Sequence, residues 1–466
     1  MNKYFGDRKF YSKLLVVAIP IMIQNGITNF VNMLDNIMVG QLGTDPISGV
    51  AIVNQLMFVF NLCVFGALSG IGIFTAQYYG KGDTKGVRHT FRMQLIVGLL
   101  VIAVGFVVFI TLGDAIVIRF LTQDSGGGSV EGTMEFARAY LSVMMFEMIP
   151  FVAVQVYANT LRNTGETFVP MVAGIAAVVV NLVGNYVLIY GKFGAPALGV
   201  SGAALATVAA RCVEFLVVCI WTHRNTAKNK FIVGAYANVL EVPMEMVFTI
   251  VPKAIPLLLN ETLWAAGQTM LVRSYSLRGL SSVTALNIAN TIANVFNVAF
   301  IAMGSAIAII LGQLLGAGKI EKAKADATRL ATFSVLLCVG TGALLFASSG
   351  FFPLIYNTTD QIRTLAKYLI MAAGVFSPFY AYTNASYFTL RSGGRTGITF
   401  IFDSCFVWFI NIPLAMVLAY FTSLPMIAMY LLVNSTEVVK CVIGYLMMHS
   451  GTWAVNLTEG KEHEAV

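Results

Sequence analysis

The chain has 466 residues, 58% of them hydrophobic and only 11% charged, with 29 Lys and Arg against 22 Asp and Glu for a formal net charge of +7. Soluble domains carry roughly 25% charged residues, so these proportions exclude a water-soluble protein and specify an integral membrane one. In a soluble chain the positive excess would raise the question of nucleic acid; here it is assigned to one side of a membrane, and no nucleic-acid partner is expected.

The apolar residues come in blocks of about 20 to 28, each long enough to cross a roughly 30 Å hydrocarbon layer as a helix. No alternating ten-residue pattern suggests a membrane barrel. The fold class is therefore all-α, with spans predicted near 14–38, 50–78, 91–112, 135–158, 167–189, 196–221, 246–275, 285–314, 327–350, 365–390, 396–419 and 424–448. Basic residues precede the first run as in a signal peptide. That run continues too far, lacks a small-x-small cleavage site and is followed by further spans, so it reads as a first helix. Loops on one side hold 19 of the 29 basic residues, among them Lys81, Lys85, Arg88, Arg92, Arg224, Lys228, Lys230, Lys319, Lys322 and Lys461. The opposite loops hold Arg119, Lys192, Arg278 and Arg363. The positive-inside rule places both termini in the cytoplasm of a multi-pass cytoplasmic-membrane protein.

The chain is also written twice. An offset of 236 carries Pro20 onto Pro256, Asn54 onto Asn290, and Gln77, Gly80 and Gly82 onto Gln313, Gly316 and Gly318. A second marker, Thr160-Leu161-Arg162 with Gly165, returns as Thr389-Leu390-Arg391 with Gly394 at an offset of 229, and the Gly-rich stretch from Ser125 to Gly132 is the expected place of the length change. Six spans per half make the repeats parallel, related by an axis along the membrane normal. The expected organisation is a six-helix lobe over 1–221, a cytoplasmic linker over 222–245, a second six-helix lobe over 246–448 and a cytoplasmic tail over 449–466. The repeated glycines read as tight turns past helix ends. Arg162 and Arg391 read as cations just past helix ends, with scaffold or gate-closing roles.

Little else in the sequence is chemical. Six scattered cysteines form no C-x-x-C or metal set, no phosphate loop implies direct ATP coupling, and no nucleophile–base set stands near a span. The protein is not read as an enzyme, and no cofactor is expected. Ionisable residues inside spans are costly and mark sites or partners; the candidates are Asp35, Glu147, Arg211, Glu214, Glu261, Arg273, Asp403 and Glu437. Arg211 and Glu214, three apart, read as a local structural pair. Asp35 stands among the amides of Asn29, Asn32 and Asn36, where a carboxylate can hold sodium through hard oxygens or trade a proton; the alternative is a hydrogen-bonded core aspartate. Glu261 is the second-half candidate, beside Asn260 and on one face with Trp264 and Gln268.

The segment from Pro20 through Asp35-Asn-Ile-Met-Val-Gly40-Gln-Leu-Gly43, then Gly49-Val-Ala51 and Gln77-x-x-Gly80-x-Gly82, resembles the multidrug and toxic compound extrusion family. The repeat of these features over 256–318 extends the resemblance over essentially the whole chain. It implies two six-helix lobes arranged as a V, and secondary antiport that exports organic cations or other lipophilic small molecules against sodium or protons. By the resemblance Asp35 matches a first-helix acid of cation coupling, with Asn32 and Asn36 beside it. Asn181 and Asn185 stand where a fifth-span Asn-x-x-x-Asp is usual, so one carboxylate is an amide here. In the second half a seventh-span glutamate eight residues after the proline is replaced by Trp264, with Glu261 about a turn earlier. The tenth-span acid is absent, leaving Tyr380 and Asn384. The C-terminal sodium site of such relatives is thus not reproduced, and the resemblance is to a divergent branch. Membrane lipids and a functional monomer complete the expectation. Its rivals are a flippase for lipid-linked or amphipathic substrates and a non-transporting membrane scaffold.

Overall fold

The computed structural model describes residues 4–121 and 129–459; the side chains of Asn32 and Asn36 also lie outside the described residues, as do Lys461 and residues 125–128 of the Gly-rich stretch. Twelve long helical segments follow in order: α1 (Arg8–Gly40), α2 (Thr44–Lys81), α3 (Thr84–Leu121), α4 (Val130–Asn163), α5 (Phe168–Tyr190), α6 (Gly199–Arg224), α7 (Met244–Ser276), α8 (Leu280–Gly316), α9 (Ile320–Ser348), α10 (Asp360–Ser392), α11 (Thr396–Phe421) and α12 (Met426–His449). There is no strand among the described residues. Among the described residues, eleven helices carry an apolar stretch long enough to span a membrane. The twelfth, α10, is as long but studded with Ser, Thr, Asn and Tyr. Such backbone suits the setting, because inside hydrocarbon every N–H and C=O must find a partner within its own helix.

By packing the chain forms two compact units. One comprises Met1–Met22, Ala76–Gly82 and Pro252–Val466, the other Ile23–Thr75 and Asp83–Val251. In the first, Leu14, Val17, Ala18 and Ile21 of α1 pack with Ala302, Met303, Ile307 and Leu311 of α8 and Leu330 of α9. Pro20 is buried in this part of α1, and Pro256 likewise lies inside α7.

The repeated markers do two separate jobs. Gly82 and Gly318 adopt φ of +81° and +70°, the left-handed conformation that costs glycine nothing, and they end α2 and α8 as expected. Gly80 and Gly316 do something the turn reading missed. A Cβ on Gly80 would lie 2.0 Å from the Gln313 carbonyl oxygen, and one on Gly316 would lie 1.9 Å from that of Gln77. The two helix ends therefore cross backbone to backbone, each glycine admitting the other repeat's glutamine. Gln77 also clasps the chain's end: its Nε2 donates to the carbonyls of Ser392 at 2.9 Å and Val455 at 3.2 Å, and its Oε1 accepts from the Leu457 N–H at 2.7 Å.

The second marker needs a correction. Arg162 and Arg391 lie in the last turns of α4 and α10, not past them. The glycine three residues on makes the turn, with φ of +89° at Gly165 and +74° at Gly394. Arg162 Nη2 donates to Gln24 Oε1 at 2.8 Å, and the Arg391 guanidinium lies 5.2 Å from the Phe388 ring.

The segment after α6 is held by α3. Arg92 donates to the carbonyls of Gly234, Ala235 and Ala237, each at 2.9 Å, and of Glu241 at 3.0 Å. A residue counted in the sequence only as positive charge is thus the organiser of the linker.

Candidate functional site

Two polar clusters lie within the helices, one in each unit. In the unit of residues 23–75 and 83–251, α1 delivers Asp35 and α5 delivers Asn181 and Asn185, four residues apart and so on one helix face. Asn185 Nδ2 donates to Asp35 Oδ1 at 2.5 Å. With its amide turned so that both ends are satisfied, Asn181 donates to Oδ1 at 2.8 Å and Oδ2 at 3.1 Å, while its oxygen accepts from Thr207 Oγ1 of α6 at 3.2 Å. Asn185 Oδ1 is buried without a hydrogen-bond partner among the described residues. Three predicted residues are thereby brought together, and Thr207 is added to them. The roles given to Asn32 and Asn36 fall on side chains outside the described residues.

The same unit holds an ion cluster that leaves Asp35 alone. Arg211 Nε donates to Glu147 Oε1 at 3.1 Å and its Nη1 to Glu214 Oε2 at 2.7 Å. The local pair expected from spacing is thus a triad, with Glu147 arriving from α4. No ion pair reaches Asp35 among the described residues.

In the other unit, Asn260 of α7 is buried and faces α11. Its Nδ2 donates to Asp403 Oδ2 at 3.1 Å and to the Tyr387 hydroxyl at 3.3 Å, and its Oδ1 accepts from Ser404 Oγ at 2.7 Å. The opposite oxygen of Asp403 is taken by a lysine, with Lys440 Nζ donating to Oδ1 at 2.7 Å. Lys440 is buried in the last span and was not among the intramembrane charges read from the sequence. Its position relative to Arg211, 229 residues earlier, was the signal that could have found it.

Why Asp403 points inward is local. Two π-helical turns, Ile401–Cys405 and Val407–Asn411, interrupt α11, and such turns re-aim side chains by widening the helix. The first carries Asp403. The second carries Asn411, whose Oδ1 accepts from Thr436 Oγ1 of α12 at 2.9 Å. Glu437 accepts from Thr383 Oγ1 at 3.2 Å, and Tyr380 donates to Asn434. These contacts form a packed polar seam around Glu437. Glu261 is half-buried next to Asn260 on α7, while Trp264 and Gln268 are exposed. Asn384 lies against Gly304 of α8.

A family model matches residues 20–187 and again 254–417, once in each half; its description is MatE. The chain belongs to the MatE family. A curated relative, the probable multidrug resistance protein NorM of Thermotoga maritima, is 23% identical over 447 residues, covering 95% of this chain and 92% of that one. The multidrug resistance protein MdtK of Yersinia pseudotuberculosis is 25% identical over 415 residues, covering 89% and 88%. Among solved structures, a MATE in complex with MaL6 superposes with a TM-score of 0.81 at 18% identity over 96% of both chains. The outward-facing conformation of a multidrug resistance MATE family transporter reaches the same score at the same identity, over 94% and 96%. These likenesses establish the all-α fold. As a MatE protein the chain is a multi-pass membrane transporter and not an enzyme, and no group of His, Cys, Asp and Glu able to hold a metal occurs among the described residues.

Proposed function

We propose that this MatE protein exports lipophilic or cationic small molecules across the cytoplasmic membrane, with both termini cytoplasmic, in exchange for a sodium ion or proton taken up at Asp35. The observation that carries the reading is the isolated carboxylate: Asp35 meets amides from α5, while the neighbouring Arg211 is bonded to Glu147 and Glu214. A carboxylate that two amides hydrogen-bond, and that no fixed cation pairs with among the described residues, is a place where a mobile cation completes the charge balance. The donor set suits such an ion. Turning the Asn181 and Asn185 amides presents two carbonyl oxygens beside the carboxylate and the Thr207 hydroxyl, the hard-oxygen environment that alkali and alkaline-earth cations take. Asn185 Oδ1 is already a buried oxygen without a donor among the described residues.

Coupling follows from linkage. If the cation and the solute favour different arrangements of the repeats, each lowers the other's affinity by the same factor, and a cation gradient drives the solute out. The related proteins named for multidrug resistance support the class of solute. A flippase for polyanionic lipids would require a basic cavity, whereas Arg211 is bonded to two carboxylates and Arg278 donates to the carbonyls of Leu418 and Thr422.

The test is transport in proteoliposomes with sodium and proton gradients imposed separately. Asp35→Asn should reduce gradient-driven flux to the rate of passive leak while the protein remains folded. Wild-type flux from that variant would overturn the reading.

A further inference from the structure

Arg211 and Lys440 are 229 residues apart, the offset that relates the Thr-Leu-Arg markers, and each stands on the sixth helix of its half. Both lie over aromatic rings. The Arg211 guanidinium is 5.4 Å from Phe151, and the Lys440 ammonium is 5.3 Å from Phe402 and 5.8 Å from Phe406. The duplication has therefore placed one fixed cation at one position in each half. What differs is where each cation is spent. Arg211 is bonded to Glu147 and Glu214, so the amide-bound Asp35 keeps no basic partner among the described residues. Lys440 instead bonds the amide-bound carboxylate of its own half, Asp403.

We propose that Lys440 is a tethered counter-ion filling the cation position of the C-terminal carboxylate cluster, so that the transporter exchanges cations at its N-terminal cluster alone. The inference rests on Asp35 as the exchange site and adds which carboxylate is withheld from exchange. At Asp403 itself both carboxylate oxygens, and the oxygen of the amide that faces them, are already used. Its Oδ1 accepts the ammonium, its Oδ2 accepts from Asn260, and the Asn260 oxygen accepts from Ser404. The contrast with the open oxygen of Asn185 is direct. A second cation entering here would meet the ammonium at close range in a medium of low dielectric, where like charges repel strongly. A tethered cation also sits at a local concentration that no transmembrane gradient alters. Lys440 thus sets the number of exchangeable cations through Asp403, as a positioning residue for coupling stoichiometry.

The experiment counts cations per molecule of purified full-length protein, as ²²Na⁺ bound and, in parallel, as protons taken up. In the wild type the count should reside at Asp35, and Asp35→Asn should abolish it. Lys440→Ala, which removes the ammonium and leaves its space, should gain a second site that disappears in Lys440→Ala/Asp403→Asn, doubling the stoichiometry. Should Lys440→Ala fail to fold, the intact-lysine background still decides. Cation binding that survives Asp35→Asn and vanishes in Asp35→Asn/Asp403→Asn would show that Lys440 does not occupy the site, and would overturn the inference. A folded Lys440→Ala that gains no Asp403-dependent cation would overturn it too. Failure of the Asp35 reading has a different signature: binding that survives both Asp35→Asn and Asp403→Asn, or none in the wild type.

Discussion

The two halves solve one problem with opposite hands. In the first repeat the carboxylate stands on the first helix, Asp35, and the amides stand on the fifth, Asn181 and Asn185. In the second, the amide stands on the first helix, Asn260, and the carboxylate on the fifth, Asp403. Corresponding helices keep facing each other across a polar contact while donor and acceptor have traded places. The fixed cation of the sixth helix then completes one cluster and leaves the other open. Duplication preserves the frame because the frame is set by backbone approach, as at Gly80 and Gly316. Side-chain charge is free to move between helices, provided each buried ion keeps a partner.

That account is most exposed at the two fixed cations. Arg211→Met would strand Glu147 and Glu214 together, and breaking a buried ion pair from one side costs about 3–5 kcal/mol, so the thermal midpoint in detergent should fall by more than for any other single change named below. Asp403→Asn strands one buried ammonium and should cost an amount at the lower end of the same range, about 3 kcal/mol. Asp35→Asn, which strands no fixed ion, should leave the midpoint close to that of the wild type. If Asp35→Asn and Asp403→Asn melt alike, the distinction between an open and an occupied carboxylate is wrong.

A smaller effect tests the frame the halves share. Gly80→Ala and Gly316→Ala each force a methyl against a carbonyl of the opposite repeat, and overpacking of this kind costs typically about 1–3 kcal/mol. The two substitutions should act alike, because each added methyl would meet the glutamine carbonyl of the other repeat. They should also be less than additive when combined, since one separation of the helix ends relieves both clashes. Full additivity in melting experiments would mean the two contacts are independent.

Much of this was legible in the sequence, for reasons that differ by level. Hydropathy blocks located the helices because a bilayer imposes length and apolarity on each span separately. The repeat gave the pairing of Gln77 with Gln313 but not their contact, since an offset says which residues correspond and nothing about which ones touch. Asp35, Asn181 and Asn185 could be grouped by resemblance. Thr207 could not, because a threonine in an apolar helix ordinarily bonds its own preceding turn. Asp403 was visible as a charge in a span, yet its partner was not. The π-helical turns of α11 rotate it in a way that a regular 3.6-residue period cannot anticipate. Arg92 was counted by sign alone, and its four carbonyl partners lie in a segment without periodicity.

The smallest expected effect separates the clusters most cleanly. Thr207 and Ser404 are both hydroxyls that hold an asparagine amide, at 3.2 Å to Asn181 and 2.7 Å to Asn260. Removing either hydrogen bond is worth about 0.5–1.5 kcal/mol. In the open cluster that energy bears on the amide that must turn to receive a cation, so Thr207→Val should alter the apparent cation affinity by roughly 2- to 13-fold, the equivalent of that range, with little change in melting. In the occupied cluster Ser404→Ala should appear as lost stability, with cation affinity unchanged. Equal effects on affinity, measured by cation titration of solute efflux, would place both carboxylates in the exchange and remove the asymmetry between the halves.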